Sequence, residues 1–224
     1  MRVNKKHLYL FLGITLITQA TTSIVGGVVG VGPFTDTKNA TAAMNSIAGN
    51  IGGVYAGVFL QIITALVVIA LGVALYQAAR HINETAAVVA FGFYITEAFI
   101  HIVCQIIVFA LAGVSRQYAV GADAALTAIG ETLLSSRDFC GAIAMLPFGL
   151  GALLFYYMIM KAKIIPKWLG IWGLVTAPLV MIGWTLAAFG VPVPFALYVP
   201  YVPWEWVAGI YILVKSGKRN GNDL

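Results

Sequence analysis

Long apolar runs alternate with short polar breaks along almost the whole chain, and six runs approach the roughly 20 residues that a helix needs to cross a bilayer. They occupy residues 8–32, 51–79, 86–113, 139–160, 169–189 and 195–214. With every backbone N–H and C=O needing a partner in hydrocarbon, this pattern predicts an all-α polytopic membrane bundle of six transmembrane helices. One domain covering 1–224 is expected, because no polar stretch is long enough for a separate soluble unit. The break at 115–138 carries Ala122, Ala125, Leu126, Ile129, Leu133 and Leu134 at helical spacing. A short surface helix is expected there, burying its own apolar face, with a lid over an outward-facing cavity as the functional alternative. Three spans followed by three would have opposite orientations, as inverted repeats require, though no clear sequence repeat relates them.

The sixth run is interrupted. Pro192, Pro194, Pro200 and Pro203 crowd its first half, and each proline removes a backbone donor. Only residues 204–214 are free of them, about 16 Å of helix. Two forms are therefore open: a broken or re-entrant segment with Glu205 in the first turn of a half-helix, or a tilted, kinked helix with Glu205 bonded to a neighbouring Tyr or Trp. The first run also has two readings. Its basic start and apolar 8–17 resemble a secretory leader, but apolar sequence continues from Ile24 to Val31 and favours a retained helix.

Composition agrees with the pattern and orients it. Charged residues are 9% of the chain and hydrophobic ones 61%, so most of the surface cannot face water. Arg2, Lys5, Lys6, Arg80, Lys161, Lys163, Lys167, Lys215, Lys218 and Arg219 fall at one set of span ends, and only Lys38, Arg116 and Arg137 at the other. Under the positive-inside rule both termini lie in the cytoplasm and the bilayer is the cell membrane. Basic clusters of this kind report topology, so no nucleic-acid partner is expected; protein partners are unspecified.

Two carboxylates stand out against this background. Glu97 and Glu205 are the charged side chains deep within the apolar runs, where an unpaired charge is costly. Glu97 lies 12 residues from Thr85, roughly 18 Å, and Glu205 lies 10 residues from Lys215, roughly 15 Å, so both reach mid-membrane. Glu97, His101, Cys104 and Gln105, at offsets 0, 4, 7 and 8, share a helical face, and His101 is placed to contact Glu97. Thr15, Thr18, Gln19 and Thr22 sit at similar depth in the first run. Glu97, His101, Glu205, Gln105 and Gln19 are thus the candidate ligand- or proton-binding residues, in a polar interior shared by the first, third and sixth helices.

Other chemistries fit less well. Three metal-ligand types on a single helix lack the paired motifs of a di-metal bundle, and one intramembrane histidine cannot make a bis-His haem site. No metal or cofactor is expected, and no catalytic residue is assigned. No glycine-rich nucleotide loop, GxSxG or HExxH motif occurs. Cys104 and Cys140 could pair, but packed thiols are the commoner outcome. Gly26 with Gly30, and Gly53 with Gly57, are spaced for close helix contact. Trp168, Trp172 and Trp206 read as interfacial anchors or as packing between helices.

Several short runs resemble one bacterial membrane family. They are LYQAARHINETAA at 75–87 with Thr96-Glu97-Ala98, Phe148-Gly149-Leu150-Gly151, Ile165-Pro166-Lys167-Trp168-Leu169-Gly170, and Glu205 followed by Lys215-Ser216-Gly217. This pattern is similar to the family called domain of unknown function 4386. Thr85 stands where that pattern has a more apolar residue. The resemblance implies six spans and a membrane location, with Glu97 and Glu205 at polar positions of the pattern; His101 and Cys104 are not carried over, and no reaction is implied. Three classes follow. The first is a carrier or channel-like protein for a proton, cation or small polar solute, using the mid-membrane carboxylates. The alternative is a non-catalytic structural or interaction module, and an intramembrane enzyme is the least favoured.

Overall fold

The structure is a computed structural model that describes residues 4–35 and 39–218, and those residues form helices joined by short turns. Helix α1 (Lys5–Ile24) widens into a π-helical stretch (Val25–Val31) and ends in one further turn, α2 (Gly32–Thr35). A short α3 (Ala40–Gly49) precedes α4 (Ile51–Ala79), α5 (Glu84–Val120), α6 (Ala124–Lys161) and α7 (Lys167–Ala188). A single 3-10 turn (Phe195–Leu197) then leads to α8 (Trp204–Gly217). Among the described residues, five helices are long and apolar enough to cross a membrane, which marks a membrane-embedded helix bundle.

Local chemistry sets the helix starts. Asn39, Asn83 and Asp123 each accept a backbone N–H from the first turn that follows, at 3.0 Å in every case. The sixth apolar run does not make a sixth long helix. Its proline-rich half is non-helical apart from the 3-10 turn, and α8 has only 14 residues, about 21 Å. Of the two forms open for this run, the broken one is observed, with Glu205 in the first turn of α8.

The 115–138 expectation is corrected. Residues up to Val120 continue α5, and from Ala124 the chain is already α6, so the connection shrinks to residues 121–123. The apolar spacing at 122–134 was helical for a different reason: Asp123 caps one helix of 38 residues and nothing between Leu134 and Phe139 stops it. At about 56 Å, α5 and α6 are far longer than a hydrocarbon core of about 30 Å. The α3 helix packs beside this paired extension.

Two apolar clusters form the core. One gathers Leu12, Leu16, Leu75, Tyr94, Phe155, Tyr156 and Trp204; the other gathers Val31, Met44, Ile47, Val54, Leu111 and Leu134. Between them runs a polar layer. On α4, Val58 belongs to one cluster and Ala65 to the other, with Gln61 and Thr64 between; on α5, Ala98 and Val108 flank His101, Cys104 and Gln105.

Between helices in lipid there is little hydrophobic drive to associate, so small residues and hydrogen bonds carry the packing. The α1–α8 contact shows this. A Cβ on Gly209 would lie 2.6 Å from Ile17 Cγ1, and one on Gly13 would lie 2.9 Å from the Gly209 carbonyl. Of the four glycines spaced for close contact, Gly26, Gly30 and Gly57 have it, since a Cβ on Gly26 would lie 2.9 Å from Leu60 Cβ and one on Gly30 2.6 Å from Gly57 Cα, whereas the atoms nearest Gly53 belong to Asn50 of its own helix start. At the basic end, the Ser216 hydroxyl donates to the Lys6 carbonyl at 3.0 Å, tying α8 to α1. Lys215 Nζ donates to the carbonyls of Lys163 and Ile164, in the turn where Lys163 adopts the left-handed conformation (φ 56°). We expect Gly209→Val to cost about 1–3 kcal/mol through overpacking at α1. Gly92→Ala, on α5 with open space around it, should not lower stability; melting temperatures of the two purified variants check the difference.

Candidate functional site

A cavity of about 200 Å³ lies in the polar layer. Gln19 and Ser23 of α1, Thr64 of α4, Glu97 and His101 of α5, and Glu205 of α8 contribute its polar lining. Four of the five residues expected from the sequence therefore meet in one space, on the three apolar segments expected to share a polar interior. Gln105 does not join them. It is buried about 12 Å further along α5, and its Oε1 has no hydrogen-bond partner.

The two carboxyl groups sit differently. Glu97, 6% exposed, is about 20 Å from the start of α5, and its Oε2 is buried without a partner. Glu205, 8% exposed, accepts the Tyr201 hydroxyl at Oε1 (2.8 Å), and the Tyr201 oxygen lies 2.7 Å from that of Tyr156. Its place in the first turn of α8 also sets it against the free N–H groups of that helix, which favour negative charge.

His101 was expected to face Glu97; it is bonded elsewhere. Its Nε2 is 2.7 Å from Gln61 Oε1, while Gln61 Nε2 donates to the Ser23 carbonyl at 3.2 Å. The donor role of the Gln61 amide toward Ser23 turns its oxygen to the ring, so His101 Nε2 carries the proton in this bond. Gln61 thereby links α1, α4 and α5 through one side chain. Beside it, the Thr64 and Thr22 hydroxyl oxygens are 2.8 Å apart across the α1–α4 seam. Gln19 also lines the cavity with a buried Oε1 that lacks a partner.

The non-helical chain before α8 is part of the site. Tyr198, Tyr201 and Val202 line the cavity, which gives irregular backbone at membrane depth a protein surround. Trp172 Nε1 donates to the Pro200 carbonyl at 2.8 Å, and Trp184 packs against Tyr198 with the rings tilted by 32° and centroids 5.5 Å apart. Trp204 fixes the start of α8. It is fully buried, donates Nε1 to the Leu169 carbonyl at 2.8 Å, lies 4.0 Å from the Tyr156 ring, and sits where a Cβ on Gly173 would be 2.7 Å away.

The chain matches the model of a family described as domain of unknown function (DUF4386) over residues 11–216. It belongs to that family. No curated protein and no solved structure matches it. As a DUF4386 protein it carries the polar layer inside the matched region, since Gln19, Gln61, Glu97, His101 and Glu205 all fall between residues 11 and 216.

Two further features bear on chemistry. Cys104 and Cys140 are free thiols, each directed at a carbonyl of the facing helix: Cys104 Sγ to Arg137 at 3.6 Å and Cys140 Sγ to Ile100 at 3.5 Å. No group of three His, Cys, Asp or Glu side chains positioned to hold a metal occurs among the described residues. Ser23, Gln61, Thr64, Tyr156, Tyr198 and Tyr201 are site residues that sequence reasoning did not single out. A glutamine and a threonine three positions apart in the middle of an apolar 29-residue run, whose other glutamine, Gln77, lies near its end, were the available signal for Gln61. Tyr201→Phe removes the donor to Glu205 and should cost about 1–3 kcal/mol by leaving a buried oxygen unpartnered. Tyr76→Phe, whose exposed hydroxyl is 3.5 Å from Glu84, should cost almost nothing; thermal melts of both variants test the contrast.

Proposed function

We propose that this DUF4386 protein is a carrier or channel-like protein of the cell membrane for a proton, a cation or a small polar solute. The observation that carries the reading is the convergence of Glu97 and Glu205, from α5 and α8, on one cavity. Two carboxyl groups in the apolar interior need a proton, a donor or a cation each. Tyr201 serves Glu205, whereas Glu97 Oε2 and Gln19 Oε1 have no donor from the protein. An incoming ligand or proton satisfies them.

The broken last segment supports the same reading. Discontinuous helices place free helix ends and irregular backbone at the binding site of many transporters. Here Glu205 is in the first turn of such a helix, and the chain before it lines the cavity. In this reading the 195–217 region makes the sixth crossing as a half-helix with its preceding turns, and both termini are cytoplasmic by the positive-inside rule. The Tyr156–Tyr201–Glu205 chain favours a second reading for Glu205, a structural group that fixes helix packing. Glu97 has no such chain.

The deciding measurement is infrared difference spectroscopy of the purified protein across pH, with Glu97→Gln and Glu205→Gln to assign the carboxyl bands. A Glu97 band that titrates and responds to added solute or cation is expected. Bands that stay fixed over the whole range would leave a dry structural pair and overturn the carrier reading. Glu97→Gln, which keeps the shape but cannot titrate, should preserve folding and abolish proton-coupled activity.

A further inference from the structure

Resting on the cavity being a ligand site, we infer that its ligand is a small organic cation: a protonated amine with an apolar body. The buried oxygens of the lining that lack partners are Glu97 Oε2 and Gln19 Oε1, on side chains 94% and 92% buried by their exposures of 6% and 8%. Both are acceptors that need a donor. No Lys or Arg is among the described residues lining the cavity, and the His101 Nε2 proton is committed to Gln61. Two carboxyl groups therefore face the space without a cation from the protein. An ammonium group has three donors and no acceptor, which matches this set.

The remainder of the wall distinguishes an organic cation from a metal ion. Met145 and Phe148 of α6 and Val180 and Trp184 of α7 add apolar lining, with a tilted Trp184–Tyr198 pair and an edge-to-face Phe148–Tyr201 pair (5.4 Å) holding the rings in place. A hard cation such as Ca²⁺ or Mg²⁺ collects six or more oxygens at about 2.0–2.6 Å and has no use for such a wall. An alkylammonium ion uses both halves. Its head reaches Glu97 and Gln19, its body lies on the apolar side, and tryptophan is the aromatic ring best suited to a nearby cation. A volume of about 200 Å³ accommodates one small molecule, larger than a bare ion needs.

The test titrates the full-length protein in detergent with n-butylammonium, with 1-butanol as the uncharged counterpart and with sodium, read by calorimetry. Saturable n-butylammonium binding at least tenfold tighter than 1-butanol is expected. Glu97→Gln should weaken n-butylammonium at least tenfold, and Trp184→Leu several-fold, with 1-butanol unchanged. Should Glu97→Gln fail to fold, the ratio between the two ligands in the unmodified protein still decides. Equal binding of both ligands, or none of n-butylammonium, overturns the inference. Sodium binding without n-butylammonium binding also overturns it, yet leaves a cation-binding cavity standing. Failure of the carrier reading is separate, being read from carboxyl bands that no solute moves.

Discussion

The bond from the Trp204 indole to the Leu169 carbonyl holds the site together, because it decides where the last helix begins. The chain from residue 189 to 203 contains four prolines and cannot hold its own course by a backbone ladder. Trp204 is instead clamped from outside: by the α7 carbonyl, by the Tyr156 ring at 4.0 Å, and by the space that Gly173 leaves. One residue later comes Glu205. Its carboxyl reaches the cavity because the residue before it is fully buried and fixed. In a bilayer, where apolar contact alone does little to choose between arrangements, one directional bond and one close fit have a large share in that choice.

The polar layer follows from the same economy of partners. Residues that would be unsatisfied in lipid find each other across helices: Gln61 with Ser23 and His101, Thr64 with Thr22, Tyr156 with Tyr201 and Glu205. Apolar clusters above and below isolate the layer. Of the three residues with a buried oxygen that the helices leave unsatisfied, Glu97, Gln19 and Gln105, the first two line the cavity. That remainder gives the space its chemical character.

Much of this was legible before any coordinates. The 51–79 run and α4 coincide, the third and fifth runs differ from α5 and α7 mainly at their ends, and the prolines located the break before α8. Glu97 and Glu205, paired by helical rise alone, both line the cavity. Hydropathy failed where it had to. It reads polarity as a boundary, so the capped, amphipathic start of α6 was taken for a loop with a helix of its own. It also cannot say which way a polar side chain turns: Glu97 and His101 share a helix face, yet His101 bonds to Gln61 on a neighbouring helix. Cross-helix partners depend on rotation about each helix axis, which a single sequence leaves open when every face is apolar. The glycine spacing was legible because close approach needs only small residues, not a particular rotamer, but that Gly30 would meet Gly57 was not.

The π-helical stretch at Val25–Val31 sets the phase between the two halves of the first helix. Its hydrogen bonds reach five residues back, as from Gly32 N–H to the Gly27 carbonyl, so it accommodates one residue more than an α-helix of the same rise. Were the same seven residues wound as regular α-helix, the part before them would turn by about 100° relative to the part after. Gly30 could keep its seat on Gly57, but Gln19 would then swing off the cavity, and Gly13 off Gly209. The wide turn thus absorbs one extra residue and keeps two interfaces on one helix in phase.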